Sequence, residues 1–141
     1  MRYWLDTEFI EDGKTIDLIS IGVIAEDGRT LYAESAEVNL VRASEWVKDN
    51  VIPHLWSLQK VKREYNSWIR DGGRGGLLSR RDIAFEVARF CDLEQYGKPE
   101  FWGYYADYDW VALCQLFGTM MDLPKGWPMY CRDLKQWCDD L

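Results

Sequence analysis

Residues 15–25, TIDLISIGVIA, are so dense in β-branched and aliphatic side chains that a strand buried on both faces is their expected state. The run ends at Glu26-Asp27-Gly28-Arg29, a turn of the Asp-Gly kind that closes hairpins. Ahead of it, residues 2–9, RYWLDTEF, read as a second strand, stopped by Glu11-Asp12-Gly13. Behind it, residues 30–36, TLYAESA, read as a third. Three strands joined by two tight turns predict an antiparallel meander.

The middle of the chain changes period. Residues 43–51 place Trp46, Val47 and Val51 at helical spacing, and Pro53 ends the segment. Residues 55–69 repeat the pattern through Leu58, Val61, Tyr65, Trp68 and Ile69. Asp71-Gly72-Gly73-Arg74-Gly75-Gly76 follows and reads as a flexible linker between helices rather than the alternative, a phosphate loop, since no strand precedes it and no Gly-Lys-Ser/Thr ends it. Ser79 and Asp82 resemble a capping box opening a helix over 80–94 that buries Ile83, Val87, Phe90 and Cys91. Residues 100–105, EFWGYY, form a fourth strand, and Asp107-Tyr108-Asp109 leads into a helix stopped by Gly118. A loop bracketed by Pro124 and Pro128, a short strand at 129–132 and a last helix from Asp133 complete the order. A meander followed by a helical crossover to a parallel strand predicts an α/β, RNase H-like mixed sheet, one domain over residues 1–141.

Composition narrows the function. The net charge is −7, whereas proteins that coat nucleic acid through phosphate contacts are usually basic. An acidic chain acts on phosphates when its carboxylates hold divalent cations. Cys91, Cys114, Cys131 and Cys138 form no CxxC pair and the chain has one His, so a Cys/His zinc site is poorly supported. Buried free thiols, a charge at Asp6 and no apolar run near the ~20 residues that span a bilayer lead to the expectation of a cytoplasmic protein without a membrane segment.

Asp6 and Glu8 lie two apart on a predicted strand, so both carboxylates project from one face. No Lys or Arg alternates with them, and hard oxygen ligands suit Mg²⁺ or Mn²⁺. The alternative is a strand end carrying two solvated acids. Asp109 follows the fourth strand, where functional groups of α/β sheets gather, and a neighbouring first strand would bring it to Asp6. The alternative there is a first-turn acid favoured by the helix dipole, a role that Asp107 fits at least as well as the N-cap.

Asp6-Thr7-Glu8-Phe9 resembles the first motif of the DEDD exonuclease superfamily, and residues 102–113, ending in Asp109-Trp110-Val111-Ala112-Leu113, resemble its second. The longer strings YWLDTEFIEDG, IDLISIGVIAEDGR and YDWVALCQLFG, followed by Met-Met-Asp-Leu-Pro, resemble the polyadenylate-specific exoribonuclease group called RNase AS and similar phage enzymes. The likeness covers nearly the whole chain apart from the Gly-rich stretch near 71–79. It implies a two-metal phosphodiesterase that removes nucleotides from the 3′ end of single-stranded, A-rich RNA. By the same resemblance Asp6 bridges both metals, Glu8 holds the first, Asp109 supports the second, and Phe9 and Tyr105 wall the terminal nucleotide. A homodimer is also implied, with Trp127, Trp137 and Trp56 as exposed interface candidates.

The family ends on a third motif, a helix carrying a general-base His and a fourth Asp. This chain has no His after His54, which reads as an ordinary surface residue in a helix–helix loop. Asp139 and Asp140 lack the His and the spacing. The domain is therefore expected to be C-terminally incomplete, and a competing function is open: a catalytically impaired nuclease-like module that grips RNA ends or a protein partner.

Overall fold

The computed structural model describes residues 1–57 and 73–141. The helix predicted over 55–69 lies almost wholly outside the described residues. Six strands form one mixed sheet: β1 (Arg2–Glu11), β2 (Ile16–Ala25), β3 (Thr30–Ser35), β4 (Arg74–Leu78), β5 (Glu100–Gly103) and β6 (Arg132–Asp133), in the order β4-β3-β2-β1-β5-β6. The meander is antiparallel, and β4, β5 and β6 each join in parallel. The expected α/β, RNase H-like arrangement is present, with β5 beside β1.

Five helices are described: α1 (Glu45–Asn50), α2 (Arg80–Phe90), α3 (Leu93–Tyr96), α4 (Asp107–Gln115) and α5 (Leu134–Asp140). Ser44 and Ser79 cap α1 and α2, each side chain accepting a backbone N–H three residues on, which satisfies a donor the first turn leaves orphaned. The helix predicted over 80–94 thus divides into α2 and α3 around Cys91-Asp92.

Alternation along β1 decides where the layers sit. Tyr3, Leu5 and Thr7 are buried, facing α2 and α4. That core joins Ile21, Val23 and Leu31 of the meander to Ile83, Val87 and Phe90 of α2, to Phe101, and to Trp110, Leu113 and Cys114 of α4. On the opposite face a smaller cluster of Ile10, Ile19, Ala43, Val51 and Leu55 covers one end. Between the two, the register pairs Asp6 with Gly22 and Gly22 with Tyr32, then Glu8 with Ser20 and Ser20 with Glu34. Cross-strand partners share a face. This stretch of sheet is therefore a polar floor, and a Cβ placed at Gly22 would meet nothing within 4 Å.

Two expectations are corrected here. The Gly-rich stretch is not a linker throughout: Arg74–Leu78 is an edge strand on β3. Glycine is required there by close approach, since a Cβ at Gly75 would lie 1.7 Å from the carbonyl oxygen of Tyr32, and its φ is +120°. Gly75→Ala is expected to lower stability by about 3 kcal/mol, read as a drop in thermal midpoint with loss of β4 amide protection. Trp127 is also not an exposed interface residue. It is buried against Phe101 and Phe117, with ring centroids 4.9 and 5.5 Å away. Trp137 is exposed, and Trp56 is half-buried against Tyr32. Cys91 and Cys114 are buried free thiols as expected, whereas Cys138 is exposed.

Candidate active site

The site forms where β5 stops and β1 continues. β5 pairs with β1 only from Arg2 to Trp4. The chain then leaves the sheet at Gly103, where a Cβ would sit 2.6 Å from that of Ala106. Tyr105 takes a φ of +53°, and α4 begins at once. The backbone N–H of Thr7, past the end of β5, donates instead to Asp109 Oδ1 at 3.0 Å, and the Thr7 hydroxyl donates to the same oxygen. Asp109 is thereby held, buried, at the edge of β1 between the two faces of the sheet.

The start of α4 has an unexpected cap. Asp107 is the first helical residue, the N-cap is Ala106, and no side chain caps within the segment. The cap comes from Asp133 at the end of β6, whose carboxylate accepts the N–H groups of Tyr105 at 3.2 Å, Ala106 at 3.0 Å and Lys135 at 2.8 Å. Those bonds hold its own pKa below the ordinary carboxylate value. A residue 24 positions after Asp109 thus fixes the helix that delivers it.

Asp6 and Glu8 face the opposite side from Thr7. A cavity of about 400 Å³ opens there, with Asp6 and Glu8 on one side and Asn50, His54 and Trp56 on the other. An apolar trough of about 460 Å³ continues from it past Trp4 and Ile24, sharing Asp6, Gly22, Tyr32 and Trp56. All three acids are destabilised as carboxylates. Asp6, although exposed at the surface, is raised above its usual pKa by partial desolvation and then by Asp109; the half-buried Glu8 is raised by desolvation, then by Asp6 and Asp109. Asp109 is raised by burial and more weakly by Asp133, against the lowering effect of the Thr7 bonds. No positive group among the described residues offsets this repulsion.

That donor set fits a hard divalent cation, which would neutralise carboxylates that no other described residue neutralises. The fit is one of chemistry rather than of finished geometry. Among the described residues, no three acidic, His or Cys groups are gathered closely enough to hold a metal as they stand. Asp109 is turned toward Thr7, and the three acids repel one another.

Raised carboxylate pKa values mean that the folded state binds protons more tightly than the unfolded chain. The stability from Asp6 is full below its ordinary value of 3.8 and is lost as pH rises through its raised value. Asp6→Asn should therefore melt above the parent at neutral pH in EDTA, with the gap closing near pH ~4. Mn²⁺ should raise the parent's midpoint and leave the variant's nearly unmoved.

The other sequence candidates lie around this centre. Phe9 packs beside Tyr108 of α4, with ring centroids 6.0 Å apart, and Tyr105 is exposed next to Tyr104. Neither lines the cavity that holds Asp6 and Glu8. Asp139 pairs with Lys135 on α5, and Asp139 and Asp140 are both exposed. His54, read from sequence as a plain surface residue, does line the cavity. Its sequence signal, one His beside one Pro, carried no hint of that.

Fold and site together define an RNase H-like α/β domain with an acidic centre at the edge of its first strand. Comparison with known proteins then gives the family: the chain belongs to the 3′-5′ exoribonuclease Rv2179c-like domain family, whose model matches residues 1–135. It is 42% identical over 140 residues to the 3′-5′ exoribonuclease Rv2179c of Mycobacterium tuberculosis strain H37Rv, covering 99% of this chain and 75% of that protein. The same figures hold for the 3′-5′ exoribonuclease MT2234.1 of M. tuberculosis strain CDC 1551.

Proposed function

We propose that this chain is a divalent-metal-dependent 3′–5′ exoribonuclease of the RNase AS type within the DEDD superfamily, acting on single-stranded, A-rich RNA. The observation that carries this is that Asp6, Glu8 and Asp109 are all raised by desolvation, and Asp6 and Glu8 further by their acidic neighbours, with no cation among the described residues to balance them. Membership of a family named for 3′-5′ exoribonuclease activity supports it. Asp6 and Glu8 would hold Mg²⁺ or Mn²⁺ from the cavity side, and Asp109 from the edge of β1. Bound there, the cations would supply Lewis-acid activation of water and charge neutralisation at the phosphodiester. The protein's own part is positional. Thr7 and Asp133 fix Asp109, the bare Gly22 leaves space beside Asp6, and Phe9 and Tyr105 flank the centre as stacking surfaces for unpaired bases. A homodimer using the exposed Trp137, and a cytoplasmic setting, complete the proposal. Among the described residues no helix is long and apolar enough to cross a membrane.

One observation favours a second reading, the grip on RNA ends without cleavage: among the described residues no three acidic, His or Cys groups are gathered closely enough to hold a metal as they stand. Incubation with 5′-labelled oligo(A) and Mn²⁺ separates the two. A ladder shortening from the 3′ end, stopped by EDTA, supports the nuclease. Retained binding of an intact oligonucleotide supports the module.

A further inference from the structure

The cavity that holds Asp6 and Glu8 has a wall that neither the family name nor the acidic motif assigns. That wall runs from the end of α1 through the 3-10 turn Ile52–His54 to Trp56. It is firmly attached. Val51 and Leu55, on either side of the turn, are buried in the smaller core. The next two residues donate their backbone N–H groups to the buried carboxylate of Glu34 on β3. The His54 N–H is used within the turn, bonding the Val51 carbonyl at 3.0 Å. Among the described residues its ring makes no hydrogen bond or ion pair, although it lines the cavity and is exposed at its mouth.

We propose that His54 is a substrate-binding residue that donates a ring N–H to a phosphate near the 3′ end of the RNA. The assignment rests on the exoribonuclease reading above and deepens it. Asp6, Glu8 and this wall line the same open cavity, so a phosphate drawn to cations at the acids would lie within it. No Lys or Arg lines that space among the described residues. His54 thus offers that space a ring N–H for an anion, with the Asn50 amide as a neighbour. A cavity of about 400 Å³ is at the lower end of the range that small ligands fill, which suits a single nucleotide rather than a duplex.

The test uses binding, not turnover. Fluorescence anisotropy of 5′-labelled oligo(A) is measured with the parent chain, His54→Ala and His54→Gln in Ca²⁺. Loss of a hydrogen bond to a charged partner predicts roughly tenfold to hundredfold weaker binding for His54→Ala, with most of it recovered by His54→Gln, which keeps an N–H donor. A neutral methylphosphonate replacing the last internucleotide phosphate should weaken the parent by a similar factor and His54→Ala far less. Equal affinity of His54→Ala and parent overturns the assignment, as does a Gln variant as weak as the Ala variant. If the parent neither binds nor shortens oligo(A), the exoribonuclease reading falls and takes this one with it. If the parent binds and shortens RNA while His54→Ala matches it, only the role of His54 falls.

Discussion

Asp6→Ala is expected to abolish 3′-end shortening of oligo(A) by the chain, by about a thousandfold or more, without lowering its melting temperature in EDTA. The two halves of that result come from one cause. Asp6 sits between Glu8, which it destabilises, and Asp109, which destabilises it. On the proposed function, a carboxylate in that position would be a burden on the metal-free fold and useful once a cation is bound. Removing it relieves repulsion and forfeits a ligand that would neutralise charge at the reacting phosphate, an effect of several kcal/mol, where each ~1.4 kcal/mol is tenfold in rate. A structural acid would behave in the opposite way, with stability falling and activity following it. Gel analysis of 5′-labelled product alongside circular-dichroism melting makes the distinction. A variant that melts well below the parent, or still shortens RNA at the parent's rate, removes the basis for a metal centre at β1.

Much of this was legible in the chain itself, for reasons that are local. The run at 16–25 is a strand because no other state buries so many branched side chains. Asp6 and Glu8 share a face because strand geometry repeats every second residue. The neighbouring of β1 and β5 follows from the order of elements, a meander and then a helical crossover to a parallel strand, which is the RNase H-like arrangement. The failures are equally physical. Gly75 reads as flexibility until Tyr32 is seen to pass against it, at which point it is the only residue that fits. Trp127 has no periodic context, and its burial depends on Phe101, 26 positions earlier. Asp133 was read only as the start of a helix, and its second task, capping α4 from across the sheet, is invisible without the fold. His54 reads as a plain surface residue because nothing near it in sequence suggests chemistry; Glu34, 20 positions earlier, helps fasten its wall to the floor.

Glu34→Ala carries the other large expected effect. Glu34 is a carboxylate only 3% exposed, which is costly unless its oxygens are occupied. They are: the Tyr32 hydroxyl donates at 2.6 Å, and the Trp56 and Ser57 amides donate from the wall segment, the latter at 3.0 Å to Oε2. This one side chain joins the sheet floor to the segment carrying His54 and Trp56. Truncation takes away the acceptor for three donors at once, and bonds to a charged partner are worth roughly 1.5–3 kcal/mol each before any local relaxation. A loss of about 3 kcal/mol or more in urea unfolding is therefore expected. RNA affinity should fall too, because the wall loses its attachment while Asp6, Glu8 and Asp109 remain in place. Glu34→Gln separates the causes. It keeps one acceptor oxygen in nearly the same volume, so it should recover much of the stability and less of the affinity, since the two wall amides then compete with Tyr32 for a single oxygen. Stability and affinity unchanged in both variants would mean that the wall is held by other contacts, and that Leu55 and Trp56 reach the cavity without help from β3.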